Sequence, residues 1–121
     1  MVDMYLKLLQ TALGKVEETK LFPLQVPSEI DEKVAHFFNQ NPELTYRPVI
    51  GINPGAGFES KQWEGVRFAE LADRICEELK CSILLTWGPG EKFKAQQISA
   101  HMKQKSWMAP PTSILESIAL Y

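Results

Sequence analysis

No stretch of this chain approaches the roughly 20 apolar residues that a membrane-spanning helix needs. Basic residues are not in excess either. Thirteen Lys and Arg stand against fifteen Asp and Glu, for a formal net charge of −2. Non-specific nucleic-acid binding requires a strongly basic surface, so that class is excluded. Soft ligands are scarce, with only two cysteines and two histidines. Cys76 and Cys81 fit no zinc spacing, and neither a metal site nor a cofactor is expected. The two thiols fall near a helix end and the following strand, where a disulfide could close, but a reducing compartment disfavours one. The opening Met1-Val2-Asp3-Met4 carries an acid and no basic n-region, so no secretory leader is expected.

What is present points to a soluble globular class. Of 121 residues, 45% are hydrophobic and 23% charged, enough apolar material for one domain or part of one. Val2, Tyr5, Leu6, Leu8, Leu9, Ala12 and Leu13 recur at helical spacing, and Gly14 stops them. Lys20 to Pro27, with two prolines, reads as an extended connection. Ser28 is the expected N-cap of a second helix with Ile30, Val34, Phe37 and Phe38 on one side, ended by Asn39-Gln40-Asn41-Pro42.

From Pro48 the pattern alternates. Val49 to Ile52 reads as a strand. Glu64 to Leu79 reads as a helix with Phe68, Leu71, Ala72, Ile75 and Leu79 facing in. Ser82 to Trp87 is apolar enough for a strand covered on both faces. Glu91 to Lys103 reads as a helix facing in through Ala95, Ile98 and Met102. Ser106 to Ala109 reads as a short third strand. Ser113 with Glu116 forms a capping box for a last helix. This order implies a parallel sheet with right-handed crossovers. Ligands of such sheets lie at the carboxyl ends of the strands, from which both Asn53–Lys61 and Trp87–Glu91 depart.

The first of those loops carries the chemistry. Asn53-Pro54-Gly55-Ala56-Gly57-Phe58-Glu59-Ser60-Lys61-Gln62-Trp63 is a glycine-rich turn between a strand and a helix. Its glycines let backbone N–H groups approach an anion, the helix start adds partial positive charge, and Lys61 adds a full one. No Gly-Lys-Ser/Thr follows, which disfavours a P-loop. Ser60 stands where a dinucleotide fingerprint needs its third glycine.

Pro48-Val49-Ile50-Gly51-Ile52-Asn53-Pro54-Gly55-Ala56 and Ser60-Lys61-Gln62-Trp63 resemble the start of the C-terminal domain of glycosyltransferase family 9, the heptosyltransferases of the lipopolysaccharide inner core. Arg67-Phe68-Ala69-Glu70-Leu71-Ala72, Leu84-Leu85-Thr86-Trp87-Gly88-Pro89-Gly90-Glu91 and Ala109-Pro110-Pro111-Thr112-Ser113-Ile114-Leu115-Glu116 resemble its next blocks in order and spacing. Val2 to Leu6 and Ala12-Leu13-Gly14 resemble its interdomain segment. The resemblance departs at Glu64-Gly65, where many members have a proline.

The resemblance implies an α/β fold: a partial Rossmann-like parallel sheet, the C-terminal half of a GT-B fold, preceded by two helices. Residues 1–46 would be a helical interdomain segment and 47–121 a truncated nucleotide-sugar-binding domain. It implies that the backbone of Ala56 and Gly57 approaches the donor diphosphate, that Lys61 pairs with a phosphate, that Glu91 accepts from the ribose hydroxyls, and that Thr112 lies beside the adenine. The donor would be ADP-heptose or a similar nucleotide sugar. The acceptor would be the lipopolysaccharide core, reached through an N-terminal domain that also carries the general base. The implied location is cytoplasmic, at the inner membrane of a bacterium. A stand-alone nucleotide- or phosphate-binding module without catalysis is the alternative.

Each residue also has a plainer role open to it. Lys61 can be a solvated loop lysine, Glu91 a first-turn acid favoured by the helix dipole, and Thr112 a helix-start residue. Trp87 can belong to the core or neighbour an adenine, and Trp63 fits a hydrophobic staple. Ser60 has no histidine nearby in sequence to activate it as a nucleophile, and His36 and His101 read as surface residues. The last helix is still apolar at Ile118, Ala119 and Leu120 when the sequence stops, and a small sheet has a small core. The sequence therefore reads as a piece of a longer domain, inactive alone. Missing strands would leave an open edge and uncovered apolar helix faces, and a homodimer, formed by self-association or by swapping through the N-terminal helices, is the expected consequence.

Overall fold

The computed structural model describes residues 7, 10–12, 14, 25–56 and 58–120, with the backbone alone at Glu59. Most of the expected first helix and of the connection before Pro27 lies outside them. The end of that helix is described. Gln10 to Ala12 are helical, Gly14 has φ +73°, and its N–H donates to the Gln10 carbonyl at 2.9 Å. This is the left-handed stop that glycine supplies without a steric penalty.

Helix α1 spans Ser28–Gln40 and the short α2 spans Pro42–Thr45. Pro27, not Ser28, is the N-cap of α1, and no side chain caps it. Extended Pro27 offers its carbonyl to the N–H groups of Ile30 and Asp31, and Ser28 is already inside the first turn. Pro42 both ends α1 and begins α2, which the sequence reading did not include. Its fixed φ and missing N–H suit a first helical position.

Strands β1 (Val49–Ile52), β2 (Ser82–Leu85) and β3 (Ser106–Met108) form a parallel sheet in the order β1-β2-β3. Ladder hydrogen bonds run one residue further, from Thr86 N–H to Ile52 O and from Ala109 N–H to Leu85 O, each 2.9 Å. Helix α3 (Gly65–Leu79) links β1 to β2, and α4 (Lys92–His101) links β2 to β3. Helix α5 (Ile114–Ala119) follows, with the expected capping box between Ser113 and Glu116 formed in both directions.

The side-chain period of two divides β2 between two cores. Ile83 and Leu85 face α3 and α4, meeting Ala69, Ala72, Cys76, Ala95 and Ile98. Leu84 faces the other way, with Leu44 and Ala109, against Phe37, Phe38, Trp107 and Leu120. All four residues of β2 are buried, as expected for a strand covered on both faces.

The inward face of α3 keeps Ala72, Phe68 and Ile75 of the sequence expectation against the core but not its two leucines. Ala69, Ala72, Asp73 and Cys76 are buried, while Leu71 and Leu79 are exposed. The most deeply buried line of the helix is thus shifted from the expected face toward Ala69, Asp73 and Cys76, while Phe68 and Ile75 pack at its margin. Small residues let α3 approach the sheet and α4 closely, and Asp73 is held by its own partners. Its carboxylate accepts the N–H of Lys103 at 3.1 and 2.9 Å and that of Gln104 at 2.9 Å. Asp73 thereby fixes the turn that delivers the chain into β3.

Candidate functional site at the carboxyl edge of the sheet

Three loops leave the carboxyl ends of the three parallel strands: 53–64, 86–91 and 109–113. The first begins with a local device. The Asn53 side chain accepts the Gly55 N–H at 2.8 Å, closing an Asx turn around Pro54. The chain then runs through a 3₁₀ turn, Glu59–Lys61, into α3. Trp63 precedes the α3 N-cap Glu64 and meets Phe68 edge-on, with ring centroids 5.2 Å apart. This is the expected hydrophobic staple, fixing the angle at which the loop enters the helix.

Glu91 joins the first two loops. Its Oε2 accepts the Gly88 N–H at 3.2 Å. It also lies so close to Gly55 that a β-carbon there would come within 2.8 Å of the Glu91 carboxyl carbon. Only a residue without a side chain permits that approach. Glu91 is also the N-cap residue of α4, where a carboxylate is favoured by the helix dipole. Trp87 joins the second loop to the third, its indole N–H donating to the Ala109 carbonyl at 3.0 Å. Its ring packs against the core on one side and has the Lys92 ammonium 5.7 Å from its centroid.

The other expected residues lie as follows. Ala56 is half-buried, and its carbonyl accepts from Gln62 Nε2 at 3.2 Å. Gly57 lies outside the described residues. Lys61 is exposed, with its ammonium 5.3 Å from the centre of the Phe58 ring. Thr112 is half-buried in the third loop, immediately before the N-cap Ser113 of α5. Glu91, Gly55 and Gly88 are thus in contact, whereas the Lys61 ammonium rests on the flank of the first loop.

Two residues of this region escaped the sequence reading. Lys94 donates to Gln62 Oε1 at 2.8 Å and lies 3.9 Å from Glu91 Oε1. Both Gln62 and Lys94 line a hollow of about 190 Å³ beside Pro54, Trp63 and Phe68. The signal that could have found Lys94 is its position three residues after Glu91, one helical turn on. Gln62 carries no such signal, because Ala56 lies in the same irregular loop, at no regular spacing, and Lys94 is distant in sequence.

A second hollow, about 370 Å³, opens at the opposite end of the sheet, lined by Arg47, Cys76, Cys81, Lys105 and Trp107 among others. Both cysteines are free and buried. Burial, then the neighbouring Cys81 and Asp73, pushes the Cys76 thiol up to about 11, so it is protonated and unreactive near neutral pH. His36 and His101 are exposed, and no cluster of three or more potential metal ligands exists among the described residues. Nor, among the described residues, is any helix long and apolar enough to cross a membrane.

Comparison with known proteins agrees with this architecture. The family model of glycosyltransferase family 9 (heptosyltransferase) matches residues 1–121. The structure of a glycosyl transferase family 9 protein from Veillonella parvula DSM 2008 superposes with a TM-score of 0.80 at 22% identity, covering 98% of this chain and 34% of that one. The structure of E. coli ADP-heptose LPS heptosyltransferase II superposes with a TM-score of 0.64 at 26% identity, covering 87% of this chain and 33% of that one. The chain therefore spans about a third of the length of these structures. No curated protein sequence matches. A parallel sheet with its loops gathered at the carboxyl edge, the fold of these relatives, and a family match from the first residue to the last lead to one statement: the chain belongs to glycosyltransferase family 9, the heptosyltransferase family.

Proposed function

We propose that this chain is the donor-binding portion of a heptosyltransferase-like enzyme, holding ADP-heptose or a similar nucleotide sugar for transfer to a lipopolysaccharide-core acceptor. The observation that carries the reading is the Glu91 carboxylate lodged between Gly55 and Gly88. Two loops from adjacent parallel strands meet there, at the edge where such sheets take nucleotides. In this reading the amides of Ala56 and Gly57 face the diphosphate and Lys61 swings from Phe58 to pair with a phosphate. Glu91 accepts from the ribose, and Thr112 borders the base. The donor class is supported by the family and by the name of the E. coli relative.

The chemistry asked of these groups is electrostatic. As the bond from the sugar carbon to the diphosphate breaks, positive charge grows on the sugar and negative charge on the leaving diphosphate. Amides and a lysine that tighten on that growing charge lower the barrier. A base elsewhere in the full enzyme takes the acceptor hydroxyl proton. The bacterial cytoplasm, at the inner membrane, is the location that fits these substrates.

Titration calorimetry of this chain with ADP, UDP and GDP tests the reading. Saturable binding that favours ADP is expected. No preference among the three, or no binding of any, would overturn it.

A further inference from the structure

We propose that Lys94 is a positioning residue for the glycine-rich loop, acting through Gln62; its relevance to a ligand rests on the donor-site reading above. The Lys94 ammonium donates to Gln62 Oε1 at 2.8 Å, and Gln62 Nε2 donates to the Ala56 carbonyl at 3.2 Å. One amide thus spans from helix α4 to the middle of the loop. Each end of it has a chemically distinct partner, so the orientation of the Gln62 amide is fixed: its oxygen must face the cation and its nitrogen the carbonyl.

The consequence for an anion site is specific. A peptide that turns its carbonyl toward a phosphate opposes binding, whereas one that turns its N–H favours it. With the Ala56 carbonyl engaged by Gln62, the negative end of that peptide is not free to turn toward an anion. Lys94 also lies 3.9 Å from Glu91 Oε1, so the same ammonium offsets the charge of a carboxylate that would otherwise oppose a diphosphate nearby. Its side chain is 37% exposed and that of Glu91 23%, so water screens this pair less than a fully exposed one. Lys61, by contrast, is exposed and has no hydrogen-bond partner for its ammonium among the described residues. The two lysines therefore divide the work. Lys94 holds the loop in shape, and Lys61 remains free to move to a ligand.

The test uses hydrogen–deuterium exchange of the ligand-free chain, read on peptides covering residues 53–63, together with ADP titration. Lys94→Met should raise exchange in that segment by about threefold to tenfold, the range expected for loss of one hydrogen bond, and should weaken ADP binding by a similar factor. Gln62→Ala should do the same, and the double variant should do no more than either single one. Lys94→Arg should restore most of both signals. Circular dichroism should show every variant folded, since Lys94 is half-exposed. Unchanged exchange at 53–63 in folded Lys94→Met, or additive effects in the double variant, would overturn the inference whether or not ADP binds. Failure of the wild type to bind ADP, with the exchange pattern as expected, would instead count against the donor-site reading and leave the positioning role supported.

Discussion

Glu91 occupies the space that a side chain on Gly55 would need. The two residues are far apart in sequence, yet a β-carbon on Gly55 would lie 2.8 Å from the Glu91 carboxyl carbon and closer still to Oε2. The absence of a side chain at Gly55 thus answers to the proximity of the Glu91 carboxylate and not to backbone strain, since its φ is not in the left-handed region.

Gly55→Ala follows directly. The obstructing atoms are the far end of a flexible side chain, so Glu91 can swing away from Gly88 with little damage to the fold. The expected loss of stability in denaturant unfolding is about 1 kcal/mol or less, at the mild end of overpacking. Nucleotide affinity should fall by much more, because the carboxylate leaves its place. Equal losses in calorimetry and unfolding would show that the contact serves only structure.

Lys61→Ala should leave the unfolding midpoint unchanged, since the side chain is exposed. In the full-length enzyme it should reduce turnover by about tenfold or more, the order expected for a charge-assisted contact to a leaving phosphate. Turnover within about twofold of wild type would remove Lys61 from the donor site.

Asp73→Ala tests the buried anchor of the turn before β3. It strips the backbone N–H groups of Lys103 and Gln104 of their acceptor. Those two residues are exposed, so water can partly replace the carboxylate. A cost of about 1–3 kcal/mol is expected in urea unfolding. Asp73→Asn keeps one acceptor oxygen and should cost less. If the two substitutions are equal, the hydrogen-bond account is wrong.

Glu116 links α5 to α1 through Lys33 and closes its own capping box. The Lys33 partner, then the Ser113 backbone and hydroxyl, lower its pKa to about 2 from the ordinary 4.5. A depressed carboxylate stabilises the fold fully above the unfolded value and loses that contribution as pH falls through the folded one. Thermal unfolding should therefore show wild type more stable than Glu116→Gln at pH 6, with the gap closing between about pH 4.5 and pH 2. A gap independent of pH would mean that the charge does not contribute.

Much of this was legible without coordinates because the signals are local. The three strands, α4 with Ala95 and Ile98 inward, the Trp63 staple and the Ser113–Glu116 box all depend on residues within a turn or two of one another. Where the reading failed, a longer-range effect had won. Leu71 and Leu79 have the right spacing for a core, yet they are exposed; of the expected face Ala72, Phe68 and Ile75 do pack inward, and the small Ala69 and Cys76 take the remaining core positions. Lys61 stands out in the sequence as the cation of the glycine-rich loop. The structure gives the fixed place to Lys94, whose link to that loop runs through Gln62.

The sequence by itself determined the alternation of strands and helices, the parallel order this entails, and which loops gather at one edge. Those follow from periodicity and from the handedness of short crossovers, both properties of the local chain. Only the tertiary structure decided which side chains meet across that edge: Glu91 against Gly55, Lys94 on Gln62, Trp87 on Ala109. Such pairings depend on the twist of the sheet and the exact depth at which each helix packs, and no spacing along the chain encodes either.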